Sequence, residues 1–249
     1  MRSHPPTGSR QRTGSAGARP CGPTRLQFPA ITPDELRRDV RAPRGPAEAS
    51  AVYQLKVRLD GIRPHIWRRF LVPAEVTLAN LHLVLQAVMG WEDSHLYAFE
   101  VGGRRIGRVF RDLGDSMEDA ARVRLRTVAG KVGDRLMYLY DFGDSWHHHL
   151  LVEKVLSDGD ARPMVCLSGR RACPPEDCGG VWGYHSLTHP EDLGHDDRID
   201  WLDEVHGPYD PEHFDPSEVT KRLQRIDPFA EARARPTVQI VRRGGDSGS

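Results

Sequence analysis

The chain has 249 residues, 38% of them hydrophobic and 28% charged, enough apolar material for a packed core. Its 35 basic and 35 acidic residues cancel to a formal net charge of zero, which argues against a protein that lives on the phosphate backbone. No apolar run approaches the length of about 18 that spans a bilayer, the N-terminus has no signal-type apolar region, and the cysteines are too few for a disulfide scaffold. Cytoplasm is therefore the expected compartment.

Residues 1–50 are rich in Pro, Gly, Ser, Ala and Arg and are expected to form a disordered tail. Their one helical start is Thr32-Pro33-Asp34-Glu35-Leu36, with Thr32 as cap and Pro33 at the first position. The expected domain runs from 51 to 229. It opens with Tyr53, Leu55, Val57 and Leu59 alternating with polar residues, a half-buried strand. Asp60-Gly61 is a turn signal, and Ile66 to Val72 reads as the returning strand, ended by Pro73.

Thr77 then caps a helix from Leu78 to Met89, with Leu78, Leu81, Leu85 and Val88 on one face and Gly90 as its stop. His95 to Val101 reads as a strand with a short return through Ile106. Residues 111–122 are acidic and irregular, and Val123 to Val128 reads as a further strand. Leu136 to Asp141 and Trp146 to Leu156 form the strongest hairpin, around Phe142-Gly143-Asp144. A loop follows from Cys166 to Gly183, then a helix near Trp201 to His206. The last helix has Asp215 at its cap, Pro216 in the first turn and Glu218 at the third position. Residues 230–249 end in Arg242-Arg243-Gly244-Gly245-Asp246-Ser247-Gly248-Ser249 and are expected to be a second disordered tail.

Several stretches resemble one family in order and in detail. They are Ile66-Trp67-Arg68-Arg69, Thr77 to His82, Gly90-Trp91-Glu92-Asp93-Ser94-His95-Leu96, and Tyr140-Asp141-Phe142-Gly143-Asp144-Ser145-Trp146-His147-His148. Cys173-Pro174-Pro175-Glu176-Asp177-Cys178-Gly179-Gly180 through Tyr184 and a closing Phe214-Asp215 complete the set. The chain so resembles the plasmid pRiA4b Orf-three-like family over about residues 51–226. The resemblance implies an α+β domain with a mixed or antiparallel sheet of five to six strands and a few helices. It also implies a bacterial protein linked to plasmids or mobile elements, without an established activity. Some relatives carry a resolvase-type name, but the serine-and-arginine site of a serine recombinase is not found here. Of the three successive histidines only His148 fits the family pattern.

The same stretches hold the residues able to do chemistry. Cys173-x4-Cys178 lies at the edge of zinc-knuckle spacing, with Cys166 before it and His185-x3-His189 after it. His95 and His148, the histidines of the family pattern, offer a second set: zinc on Cys173, Cys178, His148 and His95. Reduced cysteines packed as small apolar groups are the plainer alternative. Asp141 and Asp144 flank a tight turn with His148 beyond it, which suits a metal-assisted hydrolase acting on nucleic acid. Ordinary turn chemistry explains the same residues. His147 and His149 face one side of their strand and His148 the other.

Ile66-Trp67-Arg68-Arg69 reads as a core tryptophan with surface arginines, and base stacking with phosphate contact is its functional alternative. There is no phosphate-binding glycine loop and no nucleophile elbow. The leading expectation is a binding or accessory protein, without catalytic residues of its own. Its polar pocket is built from Trp91, His95, Asp141, Asp144, Trp146 and His148, and structural zinc is its expected cofactor. DNA or a mobile-element protein is the expected partner, and no membrane is involved.

Overall fold

Tyr53, Leu55, Val57 and Leu59 are all buried along β1 (Val52–Leu59), as their period of two requires. The Asp60-Gly61 turn, with Gly61 at φ 77°, sends the chain back into β2 (Trp67–Pro73), which pairs antiparallel with Leu55 opposite Phe70. The computed structural model describes residues 51–109, 117–156, 164–189 and 209–230, all within one compact unit, Thr32–Ser249. The expected tails, apart from Ala230, the helical start at Thr32–Leu36 and the helix near Trp201–His206 lie outside the described residues.

Helix α1 (Leu78–Met89) has the predicted ends. Thr77 accepts a hydrogen bond from Asn80 N at 3.2 Å, and Gly90, at φ 104°, closes the last turn onto Gln86 O. Leu78, Leu81, Leu85 and Val88 have no exposed surface. Strands β3 (Tyr97–Val101), β4 (Arg104–Gly107) and β5 (Glu118–Asp119) follow, then the one-turn helix α2 (Leu125–Val128). The expected central hairpin is β6 (Arg135–Tyr140) and β7 (Trp146–Leu156). Strand β8 (Val165–Arg170) and helices α3 (Gly180–Thr188) and α4 (Pro216–Leu223) complete the described elements. Asp215 caps α4 by accepting from Ser217 N, with Pro216 in the first turn.

The strands form a single sheet in the order β5-β4-β3-β6-β7-β1-β2-β8. Neighbours are antiparallel except for the parallel pair β4–β5, so the α+β class with a mixed sheet is as expected. The strand count is eight rather than five to six. The additional strands carry no alternating pattern: β5 is two polar residues, and β8 forms because β2 offers it a free edge.

Three local expectations are corrected. Val123 to Val128 is not a strand. Leu125 and Val128, both buried, are spaced for a helical turn, and Arg124 alone makes a bridge, to Thr77. The loop expected from Cys166 to Gly183 is flanked by β8 and α3 and shrinks to 171–179. On β2 the burial of Trp67 and Arg68 is opposite to the expected arrangement. Arg68 is 2% exposed, while Trp67 is only half-buried, between Lys56 and Arg69 at 5.0 and 5.4 Å from its ring centroid. The inward face of β2 meets the end of α1, where the Val88 carbonyl accepts from the guanidinium.

Removing a core methylene stem should hurt more than removing a cap. In urea denaturation, Leu81→Ala is expected to lose about 2–5 kcal/mol and Thr77→Ala about 1 kcal/mol. Equal losses would mean that α1 is held by its ends rather than by its face.

Candidate functional site

Strand β6 ends at Tyr140, and the chain turns at once. Asp141 sits at φ 53°, its Oδ1 accepts from Gly143 N at 2.8 Å, and Ser145 at φ 61° restarts the chain for β7. The turn is thus Asx chemistry, as one reading of the sequence has it. It also aims Oδ2 of Asp141 away from the turn, to 3.7 Å from His95 Nε2. His95 comes from the segment between α1 and β3. Asp93 there, at φ 60°, bends the backbone, and Ser94 N donates to Tyr140 OH at 3.1 Å.

The third contributor is the loop 171–179. Glu176 Oε1 accepts from Tyr140 OH and from Glu92 N, both at 2.9 Å, which brings the loop against the sheet and the exit of α1. Asp177, at φ 56°, then stands with Oδ1 3.0 Å from His95 Nε2, while Glu176 Oε2 lies 3.9 Å from the same nitrogen. Despite that proximity His95 Nε2 is buried and makes no hydrogen bond. His95, Asp141 and Asp177 each present a ligand atom, all within 4.8 Å of one another, a cluster able to hold a metal ion. Burial, the largest influence on Glu176, raises its carboxyl pKa above the ordinary value against the pull of its hydrogen bonds.

The other expected residues take different positions. Asp144 Oδ2 accepts from Gly179 N at 3.0 Å and fastens the loop to the hairpin turn. Gly180 comes so close that a Cβ there would lie 2.6 Å from Asp144 O, and its φ of 68° also favours glycine. Trp146 is 1% exposed and belongs to the core. Trp91 is buried too, and its indole donates to Pro174 O at 2.9 Å, a further tie to the loop. Cys173, Cys178 and His148 are in no three-ligand cluster among the described residues. Burial pushes the Cys173 thiol well above its ordinary range, which disfavours the thiolate that a metal would need.

His148 has no exposed surface. It packs edge-on to Trp91 with ring centroids 5.1 Å apart, its Nδ1 lies 3.2 Å from Tyr138 O, and its Nε2 has no hydrogen bond. Exposed His147 and half-buried His149 occupy the opposite face, as the alternation predicts. Burial pushes the His148 pKa down to about 3.

Sequence reasoning did not single out Glu176 and Asp177, nor the buried network beneath α1. In that network His82 stacks on Tyr97 at 3.7 Å, with Nδ1 2.7 Å from Tyr138 OH and Nε2 2.6 Å from Asp93 Oδ1. Gln86 donates to Tyr138 OH and accepts from Asp93 N. The available signal was a polar residue, His82 or Gln86, inside the apolar stretch of a helix.

These features define a class: an α+β domain on one mixed sheet, with a histidine–carboxylate cluster where the central hairpin, the exit of α1 and one loop meet. The family model described as plasmid pRiA4b ORF-3-like protein matches residues 51–218, and the chain belongs to that family. An uncharacterized protein, y4hQ, of Sinorhizobium fredii is 40% identical over 158 residues, covering 61% of this chain and 81% of that protein. The crystal structure of MM3350, a protein of unknown function from Methanosarcina mazei Go1, is similar with a TM-score of 0.57 and 36% identity. That match covers 68% of this chain and 97% of MM3350.

His148 predicts an acid limb. Its pKa is lower folded than unfolded, so between about pH 6.5 and 3 the unfolded chain binds the extra proton. The stability difference is absent above that window, and stability falls as pH drops through it, by up to about 1.4 kcal/mol per pH unit. His148→Gln should flatten the acid limb of a denaturation-versus-pH series. An unchanged slope would show that other groups set it.

Proposed function

We propose that this protein is a cation-binding accessory protein of a plasmid or mobile element, acting in the cytoplasm, with the ion held by His95, Asp141 and Asp177. The observation that carries the reading is the convergence of two carboxylate oxygens on a buried imidazole nitrogen that makes no hydrogen bond. A tetrahedral zinc with bonds near 2.1 Å sets its ligand atoms about 3.4 Å apart. The separations of 3.0 and 3.7 Å from His95 Nε2 bracket that value. One imidazole with two carboxylates suits zinc better than magnesium or calcium, which prefer all-oxygen shells. Because the ligands come from three separated stretches, the ion would cross-link the loop to the sheet, a binding and structural role. The zinc set of Cys173, Cys178, His148 and His95 shares only His95 with this centre.

The second reading is a metal-dependent hydrolase using Asp141, Asp144 and His148. The hairpin turn itself favours it, because it carries a second carboxylate, Asp144, three residues from the cluster's Asp141. The buried, uncharged state of His148 and the bond from Gly179 to Asp144 favour the binding reading.

Metal analysis of the dialysed full chain tests the assignment. Zinc should be retained by the native chain and by Cys173→Ala/Cys178→Ala, and lost from His95→Ala and from Asp141→Asn/Asp177→Asn. Retention in the carboxylate variant together with loss in the cysteine variant would move the site to the cysteines. A manganese-supported phosphodiesterase activity that disappears in a folded Asp144→Asn protein would replace the binding reading with the enzymatic one.

A further inference from the structure

The cation centre leaves one buried charge without a role. Arg68, 2% exposed, donates from Nε to Val88 O at 3.2 Å and from Nη1 to Trp67 O and Arg170 O at 2.9 and 2.8 Å. These bonds use Nε and Nη1 and leave Nη2 with no partner among the described residues. No carboxylate of the described residues is at ion-pair distance from the guanidinium either, and burial lowers its pKa as expected for an uncompensated cation. A charge buried to this degree ordinarily has a counter-ion.

The guanidinium is also fixed in place. It lies 4.3 Å from the centroid of the Phe214 ring. Gly169 makes room for that stack: a Cβ there would stand 2.5 Å from Phe214 Cζ and 2.8 Å from Arg68 Cδ. Arg68 and Phe214 line a cleft of about 240 Å³, together with Trp91 and, on the exposed side of α4, Arg222. The cleft is large enough for a small organic molecule and too small for a chain segment of any length. Glu92, Glu176, Asp215 and Glu218 border it as well, so two arginines face four carboxylates. A polyanion would be repelled there, whereas a single negative charge placed at Arg68 would not.

We propose that this cleft binds a small organic monocarboxylate. Its carboxylate accepts from Arg68 Nη2 and pairs with Arg222, and its apolar body rests against Trp91 and Phe214. The ligand supplies the counter-charge that the protein withholds from Arg68, through the one guanidinium nitrogen that the carbonyls leave over. None of Arg68, Arg222, Trp91 and Phe214 belongs to the cation cluster, although residues 172–176 of the loop that carries Asp177 also border the cleft.

The test is an NMR titration of the labelled full chain with benzoate in the presence of chelator, following the Trp91 indole and Arg68 Nε resonances. Benzamide and inorganic phosphate serve as the neutral and the polar comparison. A saturable benzoate shift is expected at both resonances, with much weaker responses to benzamide and phosphate. Arg68→Lys keeps the charge but loses the Nη2 donor at its place in the cleft, and should weaken benzoate about tenfold. Arg222→Glu, on an exposed helix surface, leaves the fold alone and should weaken benzoate about threefold or more. It decides the matter should Arg68→Lys fail to fold. The proposal is overturned by the lack of a saturable benzoate shift, by benzamide or phosphate binding as tightly, or by unchanged affinity in Arg222→Glu. The titration is repeated with zinc in place of chelator, and because neither Arg68 nor Arg222 is an ion ligand, the lack of a benzoate shift under both conditions overturns the cleft separately from the cation reading.

Discussion

The carboxylate of Glu176 is the junction on which the site depends. One oxygen accepts from the Tyr140 hydroxyl at the end of β6 and from the Glu92 amide at the exit of α1, so three stretches far apart in sequence meet at a single atom. Burying a carboxylate is unfavourable unless donors replace water, and these two donors are what make the position tenable. Its raised pKa records the part of the desolvation that they do not offset. With Glu176 held, the next residue, Asp177, in a left-handed conformation, lies with its carboxylate 3.0 Å from His95 Nε2.

The same economy of connection appears on the other side of the sheet–helix contact. His82 on α1 reaches Tyr138 on β6 and Asp93 beyond the helix, while Gln86 bonds both Tyr138 and the Asp93 amide. This network holds the chain from Gly90 to His95 against the sheet, so the position of the His95 imidazole follows from groups beneath α1 that do not touch the cluster. Left-handed residues at Asp93, Asp141 and Asp177, one in each contributing stretch, mark where the backbone is bent to bring the ligand atoms together. Conformations of this kind persist where surrounding structure over-determines them, and they gather at functional sites.

His148 and Arg68 illustrate opposite solutions to burial of a basic side chain. His148 becomes neutral: the ring is sealed between Trp91 and Tyr138, and its pKa falls. Arg68 keeps its charge and spreads it over three carbonyls and an aromatic face. The first makes His148 a core residue of β7. The second leaves a donor nitrogen beside a cleft. Both residues sit in motifs that carry the family resemblance, yet their chemistry differs because imidazole can shed its proton near neutral pH and guanidinium cannot.

Local pattern alone determined much of the fold. Period-two alternation placed β1, β6 and β7, and it separated His148 from His147 and His149. Cap and stop residues placed α1 and α4, because Thr77, Gly90, Asp215 and Pro216 act on their own backbone neighbours. The hairpin turn at Asp141 was legible for the same reason, and His95 and Asp141 were both read as pocket residues. Tertiary contacts decided the rest. Strand β8 exists because β2 had an unpaired edge, and Val123 to Val128 formed a helical turn that buries Leu125 and Val128 together. That Asp177, rather than Cys173 or Cys178, faces His95 depends on where Glu176 docks, and that Arg68 rather than Trp67 lies inside depends on the carbonyls of Val88, Trp67 and Arg170. A sequence states which side chains are able to accept, donate or ligate; which of them meet is set by pairings between residues dozens of positions apart.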